Sequence, residues 1–250
     1  MSVARHGFAA LLAALVVLAA PAARAADVCD APAELLGPIE PLRHAAHAIA
    51  QRRALRVLVI GSASSTQGGT SGPQTAYPQQ LKIALGAKLA ETEIVLQTRG
   101  GRGLSAADLA GLLDAALPEF HPDLVIWQTG TVDAVNGVDP DEFAQVLRTG
   151  ADRAQAAGAD LLLMDPQFSR MARATLNYTP YRQAMEAVAN ATDAMLLRRY
   201  ELMKHWVESG QIDPERSPRR DWPKVADTLH ACLGRAIAAV IIKGVREAER

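Results

Sequence analysis

The sequence predicts an α/β fold in which a parallel β-sheet lies between two layers of helices. About five short apolar runs alternate along the chain with longer stretches whose apolar residues recur every three or four positions. Glycine, serine and threonine follow several of the apolar runs, as is typical of strand ends in such sheets. Because no internal repeat and no long linker divides the chain, the pattern indicates one three-layer α/β/α domain of about five parallel strands.

The strands are predicted from unbroken apolar runs, which are typical of strands buried on both faces of a parallel sheet. They are expected at residues 55–60, 93–97, 124–128, 160–164 and 194–197. Helices are predicted between them from apolar spacing and from proline or capping residues at their starts. They are expected at residues 44–53, 77–90, 106–117, 140–157, 180–190 and 223–243. Ser105 and Asp108 form a capping box for the third of these helices.

The first 25 residues have the pattern of an export signal. Arg5 and His6 precede an apolar run at 8–19, and an Ala-x-Ala cleavage pattern follows at 23–25. The apolar run is too short to make a good membrane anchor. We therefore predict a signal peptide at residues 1–25 and one mature domain at 26–250, in which residues 26–53 form a lead-in and a helix. A periplasmic or secreted location follows, with no stable membrane insertion after cleavage.

Charge and cysteine content narrow the classes of function. The formal net charge is −1 and the sequence pI is about 6.6. Because the chain has no excess of positive charge, we expect no binding to nucleic acid or to an anionic membrane surface. The pair Arg198-Arg199 is interpreted as a solvated helix end. Cys29 and Cys232 are the two cysteines. In an oxidising compartment such a pair is interpreted first as a disulfide, with two free thiols as the alternative.

Three predicted strands end in loops that could carry chemistry. These loops, at 62–69, 98–103 and 130–133, contain a serine cluster, a glycine-rich turn and a Gly-Thr turn. Because the carboxyl ends of parallel strands meet at one edge, all three loops are expected to share a crevice. A serine nucleophile there needs an oxyanion hole and a base held by a carboxylate. Asp227 and His230 are a candidate acid and base late in the chain.

Two other chemistries leave weaker patterns. Gly101, Gly103 and Ala106 have the spacing of a dinucleotide fingerprint, but no acidic residue stands clearly at the end of the next strand. His44 and His47 could in principle ligate a metal, although such a pair is more typical of a solvated helix face. No lysine follows the first glycine-rich turn, as a phosphate-binding loop would require. We therefore predict no cofactor and no metal.

Four segments of the chain resemble the SGNH/GDSL hydrolases, a superfamily of esterases and lipases, and especially its exported bacterial members. The segments are Gly-Ser-Ala-Ser-Ser-Thr at 61–66, Trp-Gln-Thr-Gly-Thr-Val at 127–132, Met-Asp-Pro-Gln at 164–167 and Met-Lys-His-Trp at 203–206. The resemblance extends over nearly the whole mature domain. It implies a flavodoxin-like sandwich that hydrolyses esters by acyl transfer, without a cofactor, in a shallow crevice at the strand ends.

The same resemblance implies the nucleophile and the oxyanion hole. Counting back from the Thr-x-Gly at 66–68 places the nucleophile at Ser64, with Ser65 and Ser62 as the other candidates. The backbone amides of Ser64 and Gly100 would then form the oxyanion hole.

The third block of the family is expected to contact the substrate through Gly130, Thr131 and Asp133. The family has an asparagine where this chain has Val132, whose side chain can donate nothing to an oxyanion. Loss of one oxyanion donor costs roughly 10²–10³ in rate.

The base is assigned by its spacing from an acidic residue. Asp227 and His230 match the Asp-x-x-His of the family, although Pro223 indicates that the last helix has already begun there. An alternative alignment puts Asp221 and Lys224 at these two positions. If His230 is the base, its pKa is expected near the ordinary histidine value of about 6–7.

The expected function is that of an exported SGNH-type serine hydrolase in which His230 activates Ser64 and Asp227 orients the imidazole. Its partner would be a small-molecule or carbohydrate ester, for instance an acetyl ester of a cell-envelope carbohydrate. The alternative is a catalytically impaired module with the same fold that acts as a periplasmic binding or scaffold protein. Val132 and the ambiguous position of His230 favour this alternative.

Overall fold

The computed structural model describes residues 29–250, in which five parallel strands form one sheet with the order β2-β1-β3-β4-β5. The strands are β1 (Ala54–Gly61), β2 (Glu93–Gly100), β3 (Leu124–Gln128), β4 (Asp160–Met164) and β5 (Met195–Leu197). This strand order is that of the flavodoxin-like doubly wound fold. The predicted fold class is therefore confirmed, while the predicted signal peptide at 1–25 lies outside the described residues.

Ten helices accompany the sheet in the part of the chain that the structure describes. They are α1 (Arg43–Arg52), α2 (Ala63–Thr66), α3 (Tyr77–Lys88), α4 (Ala106–Phe120), α5 (Thr131–Asn136), α6 (Pro140–Ala156), α7 (Arg170–Thr175), α8 (Thr179–Thr192), α9 (Arg199–Glu208) and α10 (Trp222–Ala248). Helices α1, α3, α9 and α10 cover one face of the sheet, and α4, α6 and α8 cover the other.

Successive side chains of β1, β3, β4 and β5 enter different halves of the core. Val57 and Val59 of β1 pack on the side of α3 and α10, whereas Leu58 and Ile60 pack on the side of α4 and α6. All four are fully buried, because helices cover both faces of the sheet. This burial explains why unbroken apolar runs, and not alternating ones, predicted the strands.

The strand order reverses at β1, which pairs with β2 on one side and with β3 on the other. The register aligns Gly61, the last residue of β1, with Gly100 on β2 and with Gln128 on β3. In open α/β sheets, ligands bind in the crevice beyond the strand ends at such a reversal. The serine turn after β1 therefore lies where a binding site is expected.

The structure corrects one predicted boundary near the site. β2 continues through Gly100, so the first three residues of the predicted loop at 98–103 belong to the strand. α10 begins at Trp222, one residue before the predicted start, so Asp227 and His230 lie within the helix, as Pro223 indicated. The capping box at the start of α4, by contrast, forms as predicted.

Four helices were not predicted, and the longest of them is α9. Helices α2, α5 and α7 have four to six residues, too few for apolar spacing to reveal them. The buried Leu202, Met203, Trp206 and Val207 of α9 do recur with helical spacing, so this helix had a detectable signal. The omission matters because α9 begins with Arg199, at the edge of the sheet that carries the site.

A disulfide joins Cys29 to Cys232 on α10, which is the pairing that the sequence predicted. The two Cα atoms are 5.0 Å apart. The segment 219–248, which contains α10, is long and apolar enough to cross a membrane. Its most apolar 18 residues have a mean hydropathy of 1.6, but half of them are buried. Its apolar face, which includes Ile237 and Ile241, packs in the core. The apolar character of α10 is therefore explained by its packing in the core beside α3.

Two helix glycines with opposite surroundings test the packing of this fold. A Cβ atom at Gly150 of α6 would lie 2.2 Å from the ring of Trp127, whereas a Cβ atom at Gly111 of α4 would meet nothing within 4 Å. We expect Gly150→Ala to lower the free energy of unfolding by about 1–3 kcal/mol through overpacking. Gly111→Ala should raise it by about 0.5–1 kcal/mol, since alanine is the better helix former. Urea unfolding followed by circular dichroism measures both changes, and two changes of the same sign would contradict this packing.

Candidate active site

The turn after β1 brings three serines to the carboxyl edge of the sheet. Ser62 and Ser65 are buried, and the Ser65 hydroxyl donates to the Ser62 carbonyl at 2.7 Å. Ser64, on α2, is half-buried. Its Oγ donates to Gln128 Oε1 at 3.1 Å and accepts from Arg199 Nη2 at 3.3 Å. Of the three serines, Ser64 is therefore the most exposed, and its hydroxyl contacts both an amide and a guanidinium.

Gln128, the last residue of β3, holds the serine turn against the sheet. Its buried side-chain amide donates from Nε2 to Ser62 Oγ at 2.9 Å, and its Oε1 accepts from both Ser64 and the Tyr77 hydroxyl, the latter at 3.4 Å. The register places Gln128 beside Gly61, where a Cβ atom would lie 2.9 Å from Oε1. The missing side chain at Gly61 thus leaves the space in which the Gln128 amide reaches the two serines.

Arg199 is a site residue that the sequence analysis placed wrongly, as part of a solvated helix end. Its side chain is only 3% exposed. Nη2 donates to Ser64 Oγ and, at 3.1 Å, to Gln167 Oε1. Burial lowers the pKa of the guanidinium from its ordinary value, while Tyr77 and then Asp165 act in the opposite direction. The position of Arg199 two residues after the buried strand β5 was the available signal that it lies near the crevice.

Asp165, which follows β4, is a second buried ionisable group near the site. Its carboxylate accepts from Arg182 Nε at 3.0 Å and from the Tyr200 amide at 2.8 Å. Burial raises the pKa of Asp165 to about 6, although these two partners act to lower it. Asp165 therefore ties the starts of α8 and α9 to the carboxyl edge of the sheet.

His230 lies on α10 with its ring parallel to that of Tyr77, and the ring centroids are 6.3 Å apart. The Tyr77 amide donates to His230 Nδ1 at 3.0 Å. Because Nδ1 accepts this bond, the proton of the neutral imidazole is on Nε2. Burial, and then the positive charge of Arg199, lower the pKa of His230 to about 4, while Asp227 acts in the opposite direction. His230 is therefore neutral at physiological pH, with a pKa well below the expected 6–7.

Asp227 binds the loop after β1 and not the imidazole. Its Oδ1 accepts from the amides of Gly69 at 2.9 Å and of Thr70 at 3.1 Å, and its Oδ2 accepts from the Thr70 hydroxyl. A Cβ atom at Gly69 would lie 1.8 Å from the carbonyl oxygen of Pro223, so this close docking requires glycine. Partial burial acts to raise the pKa of Asp227, but hydrogen bonds from Thr70, Thr75 and Gly69 together outweigh it, so the net pKa is lowered.

The structure brings Ser64 and His230 to the same part of the crevice without joining them. Tyr77 connects them, because its amide bonds to His230 while its hydroxyl bonds to the Gln128 oxygen that also accepts from Ser64. Within residues 29–250, no hydrogen bond joins Ser64 to His230 or His230 to Asp227. The catalytic roles of Ser64, His230 and Asp227 stay predictions.

Comparison with known families decides what kind of protein has this arrangement. A model of the non-GDSL lipase-like family matches residues 28–247. The chain belongs to this family. The resemblance to SGNH/GDSL hydrolases that the sequence indicated is thereby confirmed. A search of curated proteins found no match.

Solved structures with the same fold include hydrolases. The structure of TesA is 20% identical over 76% of this chain and 99% of its own, with a TM-score of 0.60. The esterase EstA from Pseudoalteromonas is 18% identical over 75% of this chain and 97% of its own, with a TM-score of 0.56. A variant of Axe2, an acetyl-xylooligosaccharide esterase from Geobacillus, is 19% identical over 75% of this chain and 94% of its own, with a TM-score of 0.57. At these identities the likeness establishes the fold.

In this non-GDSL lipase-like protein, the predicted oxyanion glycine lies beside the serine turn. Gly100 has a φ of 152°, and a Cβ atom there would lie 1.8 Å from the Gly61 carbonyl oxygen. The close approach of the two backbones therefore requires glycine at this position. Val132 lies on α5 and presents no side-chain donor. The oxyanion roles of the Ser64 and Gly100 amides stay predictions.

Asp133, in the third block of the lipase-like chain, forms hydrogen bonds within the fold and does not face the crevice with a free carboxylate oxygen. Its carboxylate is 1% exposed and accepts from the Ala106 amide at 2.8 Å, the Gly130 amide at 3.1 Å and the Thr129 hydroxyl at 3.2 Å. These bonds attach α5 to the start of α4. Because the Asp133 oxygens are engaged within the fold, the predicted substrate contact rests on Gly130 and on the half-buried Thr131.

The alternative base positions make no hydrogen bond to Ser64. Lys224 is exposed in the first turn of α10, and Asp221 pairs with Arg220 at 3.7 Å. His205 Nε2 is buried on α9 and makes no hydrogen bond with the described residues. Residues 29–250 contain no group of three or more His, Cys, Asp or Glu side chains that could hold a metal ion.

The burial of His230 predicts an acid-sensitive contribution to stability. Its pKa falls from 6.5 in the unfolded chain to about 4 in the folded one, so the unfolded chain binds the proton more readily between these values. The stabilisation is present above about pH 6.5 and is lost as the pH falls towards about 4. His230→Asn, whose amide oxygen can still accept from the Tyr77 amide, should therefore lose less stability over this range than the wild type.

Urea unfolding of both proteins at about pH 7, 5.5 and 4.5 measures this difference. Asp165, whose raised pKa acts in the opposite sense, is present in both proteins and cancels in the comparison. Parallel curves of stability against pH would show that His230 does not carry the effect.

Proposed function

We propose that this protein is an ester hydrolase that transfers an acyl group first to Ser64 and then to water. The observation that carries the proposal is the half-buried Ser64 hydroxyl, which lies at the carboxyl edge of the sheet between the Gln128 amide and the Arg199 guanidinium. Membership of the lipase-like family supports it. The shared fold with the esterases EstA and Axe2 supports it further.

The reaction would begin with attack of Ser64 Oγ on the ester carbonyl carbon. As the new C–O bond forms, one electron pair of the carbonyl moves to its oxygen and the Ser64 proton passes to His230. The tetrahedral intermediate then collapses, and the alcohol leaves with that proton. Water attacks the acyl-enzyme, gives its proton to His230 and releases the acid, while the proton returns to Ser64.

For His230 to take this proton, it must first release Tyr77. The free electron pair of the neutral ring is on Nδ1, which accepts from the Tyr77 amide at 3.0 Å. Tyr77 is the first residue of α3, and an amide at this position has no partner within its helix, so water can replace the imidazole. Catalytic hydrogen bonds often tighten only when substrate is bound. We therefore propose that substrate binding accompanies a turn of the imidazole towards Ser64.

An acetyl ester of a carbohydrate is the substrate class that we propose. Axe2, which has the same fold, is an esterase of acetylated xylooligosaccharides. Polar groups surround Ser64: the buried Gln128 amide and Arg199 guanidinium contact it, and the half-buried Gln167 amide bonds to Arg199 at the same edge. Such groups suit hydrogen bonds with sugar hydroxyls better than the burial of a long acyl chain.

Substitution of Ser64 tests the proposed reaction. Ser64→Ala should lower the turnover of an activated acetyl ester at least about 10³-fold, because it removes the nucleophile. Ser65→Ala, which removes a neighbouring hydroxyl bonded only to the Ser62 carbonyl, should retain turnover per folded molecule. A phosphonate ester should label Ser64 in the wild type. Equal hydrolysis by the wild type and Ser64→Ala would rule the reaction out.

A binding module is the second candidate function. The observation in its favour is that His230 Nδ1 and both Asp227 oxygens are engaged elsewhere, so no proton relay is assembled. On this account the wild type and Ser64→Ala would hydrolyse the ester equally slowly. An acetylated oligosaccharide would still bind to both proteins, with a Kd that isothermal titration calorimetry can measure.

We also propose that the protein is exported and cleaved after Ala25. The signal-like pattern at 1–25 supports this proposal. So does the Cys29–Cys232 disulfide, because such bonds persist in oxidising compartments and are rare in the cytosol.

Export predicts both a processed N-terminus and a stabilising disulfide. Intact-mass analysis of periplasmic material should find a chain that begins at Ala26, with Cys29 linked to Cys232. The linked residues are 203 positions apart, and closing so long a loop stabilises by about 5 kcal/mol in the chain-entropy model. Cys29→Ser should therefore lower the Tm markedly. An uncleaved chain with two free thiols would contradict the proposal.

A further inference from the structure

Arg199 is a buried positive charge whose hydrogen bonds are incomplete within the protein. Its side chain is 3% exposed, and Nη2 donates to Ser64 and Gln167. The other two nitrogens, Nε and Nη1, are buried and make no hydrogen bond with the described residues. A buried charge without an ion-pair partner is costly for folding. Since Arg199 costs stability where it lies, its presence there indicates a role in function.

The carboxylate that acts on this charge is already engaged elsewhere. Asp165 affects Arg199 electrostatically, but its carboxylate accepts from Arg182 and from the Tyr200 amide. Arg182, in contrast, is paired with both Asp165 and Glu201. Arg182 is therefore neutralised by two carboxylates, whereas the guanidinium of Arg199 has no ion-pair partner among the described residues and donates to Ser64.

The position of Nη2 relative to the nucleophile indicates what the charge can do. Nη2 lies 3.3 Å from Ser64 Oγ. When Oγ bonds to a carbonyl carbon, the negative charge develops on the oxygen attached to that same carbon, next to Oγ. A donor that contacts Oγ in the free protein is therefore close to the developing oxyanion. Preorganised donors at this place stabilise the transition state more than the ground state.

We propose that Arg199 is a catalytic residue whose guanidinium donates a hydrogen bond from Nη2 to the oxyanion formed on attack by Ser64. The proposal rests on the proposed hydrolysis through Ser64. As the bond from Oγ to carbon forms, the carbonyl electron pair moves to oxygen and the Nη2–H bond turns from Oγ to that oxygen. No proton leaves Arg199. The guanidinium thereby supplies the donor that Val132 lacks at the third block.

The test compares three variants with the wild type. Arg199→Met removes the charge and keeps most of the volume, Arg199→Lys keeps the charge and loses the forked donor, and Arg198→Gln is the control. Arg198 is the adjacent arginine, pairs with Glu186 at the surface and does not contact Ser64. Steady-state hydrolysis of an activated acetyl ester provides kcat and KM, and thermal unfolding provides Tm.

We expect Arg199→Met to lower kcat about 10²–10³-fold with little change in KM, because a donor used in the transition state is lost. Arg199→Lys should recover part of this loss. Because Arg199→Met removes an unpaired buried charge, its Tm should equal or exceed that of the wild type. Arg198→Gln should leave kcat, KM and Tm nearly unchanged, since exposed ion pairs contribute little.

The outcomes separate this proposal from the proposed hydrolysis. If hydrolysis depends on Ser64 but kcat per folded molecule is unchanged in Arg199→Met, the role of Arg199 is overturned while the reaction through Ser64 stands. If Ser64→Ala hydrolyses the ester as fast as the wild type, the reaction itself fails. If Arg199→Met does not fold, Arg199→Lys decides: an unchanged kcat overturns the proposal, and a lowered kcat with unchanged KM supports it.

Discussion

The parallel pairing of β1 with β3 is the constraint on which the site depends. It aligns Gly61 with Gln128, so the chain leaves β1 directly above a buried amide that bonds to Ser62 and Ser64. A shift of one residue would turn the Gln128 side chain to the other face of the sheet. The packing of the two central strands, which is a matter of apolar burial, therefore also sets the orientation of the Ser64 hydroxyl.

The crevice holds groups whose charged forms are disfavoured by burial. Burial raises the pKa of Asp165, lowers that of Arg199 and lowers that of His230, and each group is bonded to residues of a different element. Low-dielectric surroundings strengthen the interaction of a fixed charge with a transition state. The same surroundings raise the free-energy cost of leaving a polar group unpaired. The rest of the fold must therefore be stable enough to offset the incomplete hydrogen bonding of this site.

Asp227 and His230, both within α10, have separate structural tasks. Both residues lie on one helix, three positions apart, yet Asp227 holds the loop at Gly69 and Thr70 while His230 accepts from Tyr77. The helix thus clamps the loop after β1 and the start of α3 at once. Any turn of the imidazole towards Ser64 would break one of these two attachments and leave the other intact.

The sequence by itself determined the five strands, six of the ten described helices and the disulfide pairing. These features follow from local patterns: apolar runs, helix caps and a cysteine pair. The choice of Ser64 as nucleophile came from the family resemblance and stays a prediction. Only the tertiary structure decided that Arg199 contacts Ser64 across 135 residues of chain, and that Asp227 bonds to residues 157 and 158 positions away. Spacing along a chain specifies which face of an element a residue occupies. It does not specify which distant donor or acceptor satisfies that residue when the elements pack.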